Sequence, residues 1–469
     1  MLFNSLVFAE LLLVTFILYY IKWFLKYQVA ILIISSLFFY AYTNTSLLLL
    51  LLFSAGINIV VSYYVAYGKN VNRKLIATVG VIFNLSILAF FKYSPLISKS
   101  LFDGKGSIGE FLLTIPLPIG ISFYTFEGIS LVVDVFKEKK NADQSLANSS
   151  FKQHAGRTLF FISFFPHLVS GPILKAHDFL PQIKSKFFRD INWEQCCKSL
   201  ILGYFLKMVV ADNLKDFTYW IAYPYFQGYT ALTLITMLFG YSCQIFADFA
   251  GYSLIAVGIA QLFGYNLINN FNFPYVATSI QDFWKRWHIS LSSFLMEYLY
   301  FPLGGNRKGK IRTYINLMIT MFLGGLWHGA AWSYAVWGLV HGSALAIERM
   351  FKNKLKLGSS IIAVFFKRMM VFCLVTFAWL FFKLPEFTQV VAYLKTIAHT
   401  FSFEFYGNIC FNILLYSSPV FIYHFFYLLR KNKKFDASFN KYSYILYGIM
   451  LFLIVTNSGS SGSFIYFQF

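Results

Sequence analysis

"LGGLWHGAAW", residues 323–332, lies inside an apolar run covering roughly 313–347. Basic residues stand at both ends: Lys308, Lys310 and Arg312 before it, and Arg349, Lys352, Lys354 and Lys356 after it. Loops rich in Lys and Arg stay on the cytoplasmic side of a membrane. With both flanks on one side, the run must enter the bilayer and return. His328 stands 16 residues beyond Arg312, about 24 Å of helix at ~1.5 Å per residue. The hydrocarbon core is about 30 Å thick, so the sequence predicts an imidazole deep in the membrane. Gly324, Gly325, Gly329, Ala330 and Ala331 surround it, and small residues let neighbouring chains come close. An ionisable group at that depth is expensive and points to function.

The rest of the chain agrees. Of its 469 residues, 58% are hydrophobic, 21% aromatic and 12% charged; the charged share is about half that of a soluble globular protein. This excludes a string of soluble domains and predicts an all-α polytopic membrane protein, one integral domain over 1–469. Apolar runs of spanning length recur along the chain, and those at 230–263 and 313–347 are long enough to bend or cross twice. Pro and Gly interrupt "IPLPIGISF" at 115–123 and "FFPHLVSGPI" at 164–173. Broken helices at membrane depth are tolerated where they line a protein-buried cavity. The first run, near 8–21, lacks the basic start and small-residue cleavage site of a signal peptide.

The net charge of +20 belongs to loops. Clusters at Lys69, Arg73 and Lys74, at Lys137, Lys139 and Lys140, and at Arg430, Lys431, Lys433 and Lys434 join those above. Placing all of them inside leaves both termini outside. Nucleic acid binding would need a soluble basic face, which this chain lacks. The five cysteines show neither CxxC nor Cys/His metal spacing, so they read as plain thiols.

A second stretch, "DFWKRWHISLSSFLMEYLYFPLGGNR" at 282–307, carries His288 among basic and aromatic residues. Phe283, Trp287, Phe294 and Tyr298 fall at helical spacing, which predicts an amphipathic helix lying at the cytoplasmic interface. His341, in "WGLVHG", is expected to bond a neighbouring helix; His399 and His424 read as structural, and His154 and His177 as loop residues. Asp248, in "CQIFADFAGYS", reads as half of an ion pair inside the bundle. No serine stands in a GxSxG elbow.

Taken in order, "PIGISFYTFEGISLVVDVF" at 118–136, "FFPHLVSGPI", "DFWKRWHISLSSFL", "YFPLGGN" at 300–306 and "GGLWHGAAW" closely resemble the membrane-bound O-acyltransferase (MBOAT) family. The likeness is strongest to its bacterial alginate and peptidoglycan O-acetyltransferase subgroup. The resemblance implies a helical bundle around a central channel or funnel, with re-entrant and interfacial helices. It implies a catalytic His328, a second active-site His288 and acetyl-CoA as donor, with no metal. A histidine near its working pKa suits removal of a proton from a hydroxyl as it attacks a thioester. Lys285, Arg286 and Arg307 are placed to meet the donor's polyanionic half, with Trp327 beside the acyl path. The expected location is the bacterial cytoplasmic (inner) membrane, in contact with lipid. The expected acceptor is an envelope polysaccharide, reached through an extracytoplasmic, esterase-like (SGNH-type) transferase.

The polysaccharide lies outside and the thioester inside, so something must carry the acetyl group across. "NSGSSGS" at 457–463 reads as a flexible linker, and "FIYFQF" at 464–469 as an aromatic tail containing one phenol, Tyr466. Six extended residues cover about 20 Å, so the tail can reach mid-membrane from the outer face. Tyr466 is therefore expected to accept acetyl from the donor at His328. A composition rich in Lys, Asn, Ile, Phe and Tyr suggests an AT-rich genome and favours peptidoglycan over alginate as the polymer. Two alternatives stay open: transfer of D-alanine from a carrier protein, and a transporter, which would keep working without His328.

Overall fold

The computed structural model describes residues 1–42, 44–69, 71–137, 150–168, 171–351, 358, 360–400, 406–460 and 462. Among them every regular element is helical. Among the described residues seven helices are long and apolar enough to cross a membrane: Lys22–Ala41, Thr45–Tyr67, Arg73–Phe102, Ala231–Leu262, Ile361–Lys383, Gly407–Leu429 and Lys433–Thr456. The protein is a multi-pass, all-α membrane protein. It divides into two compact units.

The first unit comprises Met1–Cys197 and Ile255–Ile268. Helices Thr45–Tyr67, Arg73–Phe102 and Ile121–Lys137 meet at a polar knot. Asn58 and Asn84 exchange amide hydrogen bonds of 3.1 and 2.9 Å. Gly128 leaves room for them, since a Cβ there would lie 2.6 Å from Asn58 Nδ2 and from Asn84 Oδ1. Amide pairs of this kind hold apolar helices together where no hydrophobic gradient does. Val65, Ala77 and Val132 pack along the same seam.

The interruptions expected near 115–123 and 164–173 are present. Helix Ile121–Lys137 begins after Gly120, whose φ of +77° suits glycine, and helix Phe151–Ser163 stops before Phe164. Two histidines expected in loops belong to helices instead. A capping box of Ser150 and Gln153 starts the helix carrying His154, which reaches Ser62 at 2.8 Å. His177, in the short helix Ala176–Phe179, pairs with Asp134 at 2.7 Å. On the same face of Ile121–Lys137, Glu127 pairs with His167 at 2.9 Å, both fully buried.

The second unit comprises Lys198–Leu254 and Asn269–Phe469. Ala231–Leu262 is one unbroken helix of 32 residues, neither bent back nor crossing twice; no proline interrupts it. The run at 313–347 does return on itself. Lys310–His328 and Trp332–Phe351 form an antiparallel helical pair joined at Gly329–Ala331. Glycines make the approach possible: a Cβ on Gly325 would collide with Tyr334 O, and one on Gly338 with Met321 O. The two backbones are thus in contact, and His328 ends the rising helix at the turn.

Candidate active site

The stretch from Asp282 to Tyr300 is not one surface helix. Helix Ile280–Trp284 stops, a turn follows, and Ile289–Leu295 starts afresh before a π-helical turn at Met296–Tyr300. His288 sits at the break with φ +44° and ψ +56°, a left-handed conformation uncommon outside glycine. Asn270 is the cause. Its carbonyl accepts from Ile289 N at 2.9 Å, and its Oδ1 accepts from Ser290 Oγ at 2.6 Å and Ser290 N at 3.2 Å. Trp287, packed on Phe283, Phe271 and Trp379 with ring centroids 5.0–5.5 Å away, locks the other side. Phe283, Trp287 and Phe294 are therefore buried rather than laid on an interface. A non-glycine residue held in such a conformation by its surroundings is a common mark of a functional site.

The turn brings His288 beside His328. Both are buried, and their ring centroids are 6.4 Å apart. Phe249 meets the His288 ring edge-on at 4.6 Å, and Trp327 flanks both imidazoles at 5.9 and 5.1 Å. Trp337 and Phe382 each pack against His328 at 5.1 Å. The two histidines singled out in the sequence thus share one aromatic enclosure, to which Trp327 belongs. Burial pushes the His288 imidazole down to about 3, so near neutral pH it is uncharged. Uncharged imidazole nitrogens in such an enclosure can accept or donate a hydrogen bond to a reacting group.

His341 lies one layer away, between Trp337 at 4.7 Å and Trp284 at 5.1 Å, with Phe283 stacked at 6.2 Å. Among the described residues neither ring nitrogen has a hydrogen-bond partner, so the expected bond to a neighbouring helix is not made. His424 does bond, to Val420 O of its own helix at 2.7 Å.

The basic residues separate into two kinds. Lys285 and Arg307 are exposed. Arg286 is engaged: its Nε donates to Asp282 at 2.8 Å, its Nη1 to Asn272 O at 3.1 Å, and its guanidinium lies over the Tyr427 ring. Tyr466 lies outside the described residues. Asp248 is ion-paired, as its buried setting suggests, to Lys207 at 2.7 Å. Lys207 and its second partner Asp212, at 2.8 Å, escape sequence reasoning. The signal lay in "FLKMVVADNL", where a lysine and an aspartate interrupt an apolar run.

A helical membrane protein with two neighbouring imidazoles buried among aromatic rings has the parts of a membrane-embedded acyl-transfer enzyme. The comparison with known families agrees, and the chain belongs to the MBOAT, membrane-bound O-acyltransferase family, whose profile matches residues 11–384. It is an acyltransferase. Its relatives include a peptidoglycan O-acetyltransferase of Helicobacter pylori, 34% identical over 83% of this chain and 80% of the relative. Another is the Pseudomonas putida protein named "Probable alginate O-acetylase AlgI", 38% identical over 74% of this chain and 71% of that one. A teichoic acid D-alanyltransferase of Bacillus subtilis is 28% identical over 71% of this chain and 82% of its own length.

Proposed function

We propose that this enzyme takes acetyl from cytoplasmic acetyl-CoA and exports it for O-acetylation of an envelope polysaccharide, peptidoglycan before alginate. The observation that carries the reading is the placement of His288 beside His328 in one buried aromatic cluster. The Helicobacter pylori relative supports the acyl group and the polymer. Exposed Lys285 and Arg307, with Lys308 and Lys310, suit the donor's phosphates; Arg286, engaged by Asp282, suits them less.

In this reading His328 takes the phenolic proton of Tyr466 as the oxygen attacks the thioester carbonyl. The new C–O bond forms, the C–S bond breaks, and the departing thiolate recovers the proton from the imidazolium. The products are O-acetyl-Tyr466 and free thiol. An aryl ester is a good onward donor, because a phenol of pKa about 10 leaves more readily than an alkoxide. The tail then offers acetyl to an extracytoplasmic, esterase-like partner, with the protein in the cytoplasmic membrane of a bacterium and both termini outside.

The test is purified protein with isotopically labelled acetyl-CoA, followed by mass spectrometry of the intact C-terminal peptide. Labelled Tyr466, lost in His328→Ala, is the expected result. Full transfer by Tyr466→Phe ends the relay. A protein that ignores acetyl-CoA but accepts D-alanine from a carrier protein supports the second acyl group, which the Bacillus subtilis relative favours.

A further inference from the structure

The segment leading to the tail is docked, and it docks on charged groups for which the acyl transfer above has no use. Residues Phe205–Ala211 wind as a π-helix, a rare geometry that recurs at functional sites. Lys207, buried there, places Nζ 2.8 Å from Asp212 Oδ1 and 2.7 Å from Asp248 Oδ1. Lys207 thus stands between two buried carboxylates. Asp212 is 1% exposed, and among the described residues its Oδ2 has no hydrogen-bond partner.

Residues 457–460 and Gly462, in the stretch that composition reads as a loose tether, lie against this turn. Gly459 N donates to Met208 O at 2.9 Å, and Asn213 Nδ2 to Asn457 O at 3.0 Å. Lys215 Nζ donates to Ser460 O and Ser460 Oγ to Asp216 Oδ1, both at 3.1 Å. Tyr416 OH reaches Asn457 Oδ1 at 3.3 Å. The fit at Gly459 excludes a side chain, since a Cβ would lie 2.6 Å from Asn213 N and from Asp212 C, backbone atoms that cannot swing aside. A Cβ on buried Gly462 would lie 3.2 Å from Asp212 Oδ1 and 3.1 Å from Lys215 Nζ.

We infer that residues 205–216, with the Lys207–Asp212–Asp248 network, form a built-in receptor that fixes the register of the C-terminal segment relative to the histidine pair. Helix Ala231–Leu262 links the two: it carries Asp248, and its next residue, Phe249, packs on His288 at 4.6 Å. Asp212, Asn213 and Asp216 are positioning residues. They touch no reacting atom, but they set where the chain after Gly462 begins. A tether anchored near its target raises the local concentration of what it carries, and a small misplacement of a reacting group costs orders of magnitude in rate. The functional meaning rests on the Tyr466 reading; the docking rests on the bonds above.

The test uses full-length protein in nanodiscs, with amide exchange of the peptide covering 457–462 and kcat and KM for acetyl-CoA measured together. Gly459→Ala is expected to speed exchange and lower kcat about tenfold or more, leaving KM within about twofold. Asp216→Leu should behave likewise, whereas Asp216→Asn, which keeps an acceptor for Ser460, should retain most of the rate. Val455→Ala, exposed and outside the docked segment, should match wild type in both readouts. Wild-type exchange in Gly459→Ala, or fast exchange with unchanged kcat, overturns the inference. Tyr466→Phe separates the two ideas. If it abolishes transfer while Gly459→Ala stays fully active, the relay stands and the receptor falls. If Tyr466→Phe is fully active and Gly459→Ala still speeds exchange, the docking stands while the relay, and with it the receptor's part in transfer, falls.

Discussion

The His288 and His328 rings lie 6.4 Å apart and tilted by 54°, one on a strained turn and the other at the end of a helix. The two positions are built differently, so they will respond differently to substitution. His328→Ala removes the proposed proton acceptor and is expected to lower transfer by about 10²–10⁴-fold, the usual scale of general acid–base catalysis. His288→Asn keeps a residue tolerant of the left-handed backbone and removes the ring. Thermal stability of His288→Asn should stay near wild type while transfer falls about tenfold or more. If His288→Asn is fully active, the second imidazole has no part in the reaction.

Burial holds the His288 imidazole at about 3, below the ordinary histidine value of about 6.5. Its effect on stability has a definite sign. Above about 6.5 the group is neutral folded or unfolded and contributes no pH dependence. As pH falls from there toward 3 the unfolded chain takes up a proton that the folded chain refuses, and stability is lost. The loss approaches about 1.4 kcal/mol per pH unit. Melting in detergent between pH 7.5 and pH 5 should therefore shift less in His288→Asn than in wild type. Equal shifts would mean that another group sets the acid sensitivity.

Much of this site is legible in the sequence, because the physics that exposes it is local. An imidazole between Trp327 and Gly329 in an apolar run with basic flanks can stand in few places, and the returning helical pair follows from charge placement alone. The break at His288 was not legible. Phe283, Trp287, Phe294 and Tyr298 keep a helical period, and the cause of the break, Asn270, lies in a separate stretch. Lys207 was hidden for a similar reason. A lone lysine near a span reads as an ordinary interfacial charge until the fold supplies Asp248, 41 residues away. Nor does any hydrophobic period announce a π-helix.

Lys207 provides a sharp energetic test. With the lysine 2% exposed and its partners nearly so, Lys207→Met leaves two carboxylates buried without their cation. Breaking a buried pair in this way costs about 3–5 kcal/mol. Asp248→Asn should cost less, since Asp212 still holds the ammonium. The double variant Lys207→Met/Asp248→Asn should be more stable than the sum of the single effects predicts, a coupling of about 1–3 kcal/mol in a double-mutant cycle. Simple additivity would show that the three groups do not interact as a unit.

The hairpin depends on glycine where the two backbones touch. Gly325→Ala would drive a methyl group into Tyr334 O, and that oxygen belongs to a helix backbone that cannot yield alone. The helices must part, which carries His328, three residues further on, away from Trp337 and Phe382, both now 5.1 Å from its ring. Transfer is expected to fall by about 10²-fold, the scale set by small displacements of a catalytic group. Gly324→Ala is the matched control. Its Cβ would meet only the tip of the Leu295 side chain, at 3.0 Å, and a flexible leucine can move aside. It should retain most of the activity and melt near the wild-type temperature. The comparison is transfer rate against thermal midpoint for both variants. If Gly325→Ala and Gly324→Ala prove equally active, close backbone packing does not hold His328 in place.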